Sequence, residues 1–98
     1  MIDITEKERS IIRAILQKYV PNYPVWIFGS RIKGTAKPFS DLDLAIITPK
    51  PLSLSLHAEL VEAFSDSDLA WKVDIVDWAA TTEAFRAIIQ QQYEIFEK

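Results

Sequence analysis

The chain contains no cysteine and only one histidine. A disulfide framework and a cysteine-based zinc site are therefore both excluded, and nothing places the chain in an oxidising compartment. The single histidine, His57, lies among the apolar positions of a predicted helix. We expect it to be a half-buried packing residue rather than a catalytic base or a metal ligand.

The chain also lacks an excess of basic residues and a long apolar segment. Lys and Arg number 11 against 14 Asp and Glu, and this net charge of -3 argues against a protein that coats nucleic acid. No stretch is long enough to span a bilayer, and the N-terminus has no basic region followed by an apolar run. We expect a cytoplasmic protein. With 98 residues and no repeat or linker, residues 1–98 are predicted to form a single domain.

Hydrophobic periodicity predicts alternating short strands and amphipathic helices. Thr5 and Glu8 have the spacing of a capping box, which predicts that the first helix begins directly after Thr5. Two further helices are predicted, one over residues 54–64 and one after Thr82. The predicted strands cover residues 25–28, 41–47, 72–77 and, with helix as the alternative, 93–96. The fold class is α/β (α+β), with a small mixed sheet flanked by helices.

Gly29 and Ser30 follow the first predicted strand, at a point where the backbone must turn or let a ligand approach closely. A phosphate group is the ligand that this pair suggests, although an ordinary turn at the end of a strand is the alternative. In the next predicted strand, Asp41 and Asp43 share one face, with their Cα atoms about 6.6 Å apart. Two carboxylates therefore point the same way, either to bind a cation or as part of a solvated sheet face.

Asp74, in the third predicted strand, is the third candidate carboxylate. If the second and third strands are neighbours, it can meet Asp41 and Asp43 on one face. Three like charges would raise at least one pKa, unless a cation such as Mg²⁺ holds the carboxylates ionised. Because Mg²⁺ usually completes its coordination with water and substrate phosphate, a nucleoside triphosphate is the expected partner. Asp77 faces away from Asp74 and is expected to cap or to lie at the surface.

Three basic residues follow Gly29 in the same loop: Arg31, Lys33 and Lys37. They are expected to contact the triphosphate, with a merely solvated basic loop as the alternative. The tryptophans Trp26, Trp71 and Trp78 are expected to be core or sheet-flanking residues.

The chain carries Gly29-Ser30, then ten residues, then Asp41-Leu42-Asp43, and later Asp74. This order resembles the signature of the DNA polymerase beta nucleotidyltransferase superfamily. The resemblance implies a nucleotidyltransferase fold. The short length is similar to that of the minimal nucleotidyltransferases, which act as antitoxins paired with a separate HEPN-domain toxin.

For the site, this resemblance implies that Asp41, Asp43 and Asp74 bind two Mg²⁺ ions and carry the catalysis. By the same resemblance Gly29, Ser30 and Arg31 would hold the triphosphate of ATP.

For the function, the resemblance implies that AMP passes from ATP to a tyrosine of the cognate HEPN ribonuclease toxin, as in a type VII-like toxin-antitoxin pair. A hetero-oligomer with that toxin is expected. One alternative is an antitoxin that neutralises its partner by contact alone. Another is nucleotidyl transfer to a small molecule or to an RNA 3′ end, which the acidic net charge makes less favourable.

Overall fold

The computed structural model describes residues 4–34 and 40–98, and it contains one four-stranded sheet in the order β3-β2-β1-β4. Its strands are β1 (Val25–Phe28), β2 (Leu42–Ile46), β3 (Val73–Asp77) and β4 (Tyr93–Ile95). Strand β1 runs antiparallel to both β2 and β4, whereas β2 and β3 are parallel. The predicted mixed sheet is confirmed, and the last segment is the strand that the sequence favoured. Strands β2 and β3 are slightly shorter than predicted.

Within the described residues four α-helices accompany the sheet, and three of them were predicted. The helices are α1 (Glu6–Tyr19), α2 (Ser30–Lys33), α3 (Leu54–Ser65) and α4 (Glu83–Gln91), with a 3-10 turn at Trp78–Ala80. The sequence did not predict α2 or the 3-10 turn, because four and three residues are too few to show a helical period. No helix in the described ranges combines the length and the apolar character needed to cross a membrane.

Helix α1 begins where the sequence predicted. The Glu8 backbone N–H donates to Thr5 Oγ1 at 3.1 Å, and the Thr5 N–H donates to Glu8 Oε1 at 2.8 Å. This capping box satisfies two donors that a helix start otherwise leaves unpaired. The helix ends before Pro21, which cannot continue it.

On one face of the sheet, the residues of β1 and β2 are all apolar and fully buried. Because side chains alternate along a strand, every second residue of β1 and β2 lies on this face. These residues form one cluster with the inward-facing residues of α1 and α3. The cluster includes Val25, Ile27, Leu42, Leu44, Ile46, Ile12, Leu16, Leu60 and Phe64. His57 on α3 is half-buried, as predicted.

The opposite face is mixed, with apolar residues beside carboxylates. Trp26 and Phe28 of β1 lie on it, and they contact the chain that follows β3. The Trp26 and Trp78 ring centroids are 5.2 Å apart, and those of Phe28 and Phe85 are 5.9 Å apart. The prediction for the tryptophans is confirmed, since Trp71 is buried and the other two pack partly buried against the core.

Asp77, at the end of β3, is buried, so a surface position was the wrong expectation. Its Oδ1 accepts a hydrogen bond from Thr48 Oγ1 at 2.6 Å, and its Oδ2 accepts one from the Leu52 N–H at 2.7 Å. Thr48 Oγ1 in turn accepts from the Ala79 N–H at 3.1 Å. Asp77 therefore joins the end of β3 to the segment between β2 and α3, a role that depends on long-range contacts.

Candidate active site

Asp43 and Asp74 stand directly opposite each other on neighbouring strands. The parallel register of β2 and β3 pairs their Cα atoms, so both side chains point to the mixed face of the sheet. Strand neighbours are about 4.8 Å apart, which brings the two carboxylates within reach of a common ligand. The sequence predicted this juxtaposition on the condition that the two strands are adjacent, and they are. Asp41 lies just before β2 and is exposed.

The charges of the three aspartates act on one another. Burial raises the pKa of Asp43 from its ordinary 3.8 to about 6, and the negative charges of Asp74 and then Asp41 add to the rise. Both causes disfavour the ionised carboxylate. The expectation that such a cluster raises at least one pKa is thus confirmed.

Gly29 lies against this cluster. Its φ of 84° and ψ of -157° fall in a region that is essentially open only to glycine. A Cβ atom placed on Gly29 would lie 2.1 Å from Asp43 Oδ2, far inside van der Waals contact. The backbone at Gly29 therefore lies so close to the Asp43 carboxylate that a side chain at this position would not fit. Ser30 follows as the first residue of α2 and is half-exposed.

The donor atoms of this site fit a hard cation such as Mg²⁺. The three aspartates offer only oxygen, and a positive charge beside them would remove the electrostatic cost that raises the Asp43 pKa. In residues 4–34 and 40–98, however, no three acidic or histidine side chains stand together as a ready-made metal cage. Asp74 is instead paired with Lys72, whose Nζ lies 3.2 Å from Asp74 Oδ1.

The basic residues after Ser30 are placed in different environments. Arg31 is buried at 5% exposure, and its guanidinium donates to the Ser40 carbonyl oxygen. Lys33 is exposed on α2, and Lys37 lies outside the described residues.

Sequence reasoning missed two features of the site. The pairing of Lys72 with Asp74 has a sequence signal, because residues two apart on a strand share a face. The Arg31 guanidinium lies over Trp71, 4.3 Å from the ring centroid, and no sequence signal indicates this contact.

With this geometry established, we compared the chain with known proteins. A family model described as "Polymerase beta, Nucleotidyltransferase" matches residues 10–98. The chain is 53% identical over 97 residues to a Haemophilus influenzae protein named "Probable protein adenylyltransferase MntA", covering 99% of this chain and 85% of that protein.

Solved structures share the fold. A toxin-antitoxin with AMP-PNP matches with a TM-score of 0.77 at 24% identity, over 91% of this chain and 72% of that one. A Shewanella oneidensis complex of a tri-AMPylated HEPN toxin with an MNT antitoxin matches with a TM-score of 0.70 at 20% identity, over 96% and 72%. Because the family model and the Haemophilus relative both span nearly the whole sequence, the chain belongs to the polymerase beta nucleotidyltransferase family.

Proposed function

We propose that this protein transfers AMP from ATP to a tyrosine of a HEPN-domain ribonuclease toxin and so acts as the antitoxin of the pair. The observation that carries the proposal is the register that sets Asp43 opposite Asp74 beside Gly29. Support for the substrates comes from relatives, since one is named a protein adenylyltransferase and another is a complex with an AMPylated HEPN toxin. A reaction that consumes ATP also agrees with the cytoplasmic location that the sequence predicts.

The nucleotide would lie between the Gly29-Ser30 backbone and the aspartates. Gly29 has no side chain to keep a phosphate away, and the Ser30 hydroxyl can donate to a phosphate oxygen. Asp41, Asp43 and Asp74 would hold two Mg²⁺ ions, which supply positive charge opposite the phosphate oxygens when bound.

The acceptor would approach the mixed face of the sheet. The Asp74 side chain is 40% exposed, so a hydroxyl carried by another protein can reach it. The tyrosine oxygen forms a bond to the α-phosphorus while the bond from that phosphorus to the bridging oxygen breaks, and pyrophosphate leaves. Asp74 accepts the proton that the hydroxyl loses. Lys72 holds the Asp74 carboxylate on the same face of the sheet as Asp43.

An antitoxin that works by contact alone is the second candidate. It is favoured by the pairing of Asp74 with Lys72 and by the lack of a ready-made three-carboxylate cage in the part of the chain that the structure describes. In that case the protein would bind and neutralise its partner without ATP turnover.

The deciding experiment incubates the protein with ATP, Mg²⁺ and a purified HEPN-domain partner. Intact mass spectrometry is expected to show the partner gaining AMP, and peptide mapping to place it on a tyrosine. Asp43→Asn should abolish the gain without preventing complex formation, whereas Asp68→Asn, at an exposed position in the loop between α3 and β3, should leave it intact.

Two outcomes would reject the proposal. If the partner stays unmodified at saturating ATP and is still neutralised by the Asp43→Asn variant, the contact mechanism is established instead. Transfer of label from ATP to purified RNA rather than to the HEPN protein would assign the activity to a nucleic-acid acceptor.

A further inference from the structure

Arg31 is a charged residue in a buried position. It directly follows Ser30 in the chain, yet only 5% of its surface is exposed. Burial of a guanidinium is costly unless its donors are satisfied and its charge is compensated. Its surroundings should therefore explain why the chain keeps an arginine there.

The buried guanidinium contacts the Ser40 carbonyl and the Trp71 ring. Its Nε and Nη2 donate to the same acceptor, the Ser40 carbonyl oxygen, at 3.0 Å and 2.8 Å. Its central carbon lies 4.3 Å from the centroid of the Trp71 ring, a cation–π contact. Hydrogen bonds from a charged donor are stronger than neutral ones, and both kinds of contact strengthen when water is excluded.

These contacts join three segments that carry the proposed site. Ser30 lies immediately before Arg31, and Asp41 lies immediately after Ser40. Trp71 precedes Lys72, whose carbonyl accepts from the Leu42 N–H at 2.9 Å, close to where β2 and β3 begin to pair. The side chain of Arg31 therefore connects the Gly29-Ser30 turn, the start of β2 and the start of β3.

We propose that Arg31 is a positioning residue, which sets Asp41 and the β2–β3 register relative to Ser30 through the Ser40 carbonyl and the Trp71 ring. This assignment rests on the proposed function and replaces the expectation that Arg31 contacts the triphosphate. Contact with a triphosphate would depend on the positive charge of residue 31, whereas positioning depends on the planar shape of the guanidinium. Lysine keeps the charge but cannot both donate twice to one carbonyl and stack flat on a ring.

The test is therefore Arg31→Lys, assayed for AMP transfer to the HEPN protein with ATP varied. We expect kcat to fall about 10- to 100-fold, since small misplacement of reacting groups has effects of that size, and KM for ATP to stay within about 2-fold of the wild-type value. Trp71→Phe keeps an aromatic ring and should retain most of kcat, whereas Trp71→Leu should behave like Arg31→Lys.

Arg86→Lys is the matched control. Arg86 makes the same kind of contact elsewhere, donating from Nε to the Trp78 carbonyl at 3.0 Å and lying 5.3 Å from the Trp78 ring centroid. Arg86→Lys should lower the melting temperature less than Arg31→Lys does, because Arg86 is only half-buried, and it should leave kcat unchanged. Equal losses of kcat in the two lysine variants would mean that general destabilisation explains both, and would overturn the proposal.

A rise of about 10-fold or more in KM for ATP, with kcat kept, would instead make Arg31 a ligand of the triphosphate and also overturn it. Hydrogen exchange provides a readout that needs no activity. The Leu42 amide should exchange faster in Arg31→Lys than in Arg86→Lys. If the wild-type protein transfers no AMP at all, the proposed function fails, and this exchange comparison still decides the role of Arg31.

Discussion

Replacing Asp43 by asparagine should make the protein more stable while abolishing its activity. Burial and the nearby charges of Asp74 and Asp41 hold the pKa of Asp43 at about 6 rather than 3.8, so the folded state disfavours its ionised form. Without allowance for solvent screening, this difference converts to about 3 kcal/mol at neutral pH. Because Asp43 is only half-buried, solvent screening reduces the cost. We expect Asp43→Asn to gain about 1–2 kcal/mol at pH 7.5.

The direction of the pH dependence follows from the same pKa. The folded state holds the Asp43 proton more tightly than the unfolded state does, so wild-type stability falls as pH rises from about 4 to 6. Asparagine does not titrate. The advantage of Asp43→Asn should therefore be complete above about pH 6, shrink between 6 and 4, and vanish below 3.8.

Urea denaturation of both proteins at pH 7.5, 5 and 3.5, without divalent cations, measures this difference. A gain of 1 kcal/mol corresponds to about 4–8 °C in the melting temperature of a domain of this size. Asp68→Asn, at an exposed position, should change neither quantity. An Asp43→Asn variant that is no more stable than the wild type at pH 7.5, or whose advantage persists unchanged at pH 3.5, would refute the reasoning.

The remaining predictions concern the cation, the glycine turn and a buried hydrogen bond. Millimolar Mg²⁺ should raise the melting temperature of the wild type but not that of Asp43→Asn, and EDTA should reverse the rise; equal shifts would exclude this carboxylate as a ligand. This Mg²⁺-induced rise should shrink as pH falls below about 6, because a proton then competes with the cation for Asp43, and a rise of the same size at pH 7.5 and pH 5 would contradict its role as a ligand. Gly29→Ala should abolish transfer and cost about 1–3 kcal/mol since its Cβ would meet Asp43 Oδ2, whereas Gly34→Ala, whose Cβ would meet no described residue within 4 Å, should keep activity. Thr48→Val should cost about 1–3 kcal/mol in urea denaturation by leaving a buried Asp77 oxygen unpaired, with transfer unchanged.

The positions of the main helices and strands could be predicted because their signals are local. The Thr5 capping box and the apolar spacing of α1 lie within a few residues of one another, and β2 has a large apolar residue at every second position. Short elements could not be predicted, because they contain too few residues to show a helical period. Helix α2 is one turn long, and it forms where Gly29 takes a positive φ that no neighbouring residue signals.

The residue types of the site were determined by the sequence alone. The period of a strand predicts Asp41 and Asp43 on one face, and Gly29 precedes them at a fixed spacing. Only the tertiary structure decided that β3 lies beside β2 in parallel, with Asp74 opposite Asp43. It also decided that Arg31 is buried against Trp71, 40 residues further along the chain. The physical reason is that strand order and the burial of a single charged side chain are set by packing between distant segments, which leaves no periodic trace in the sequence.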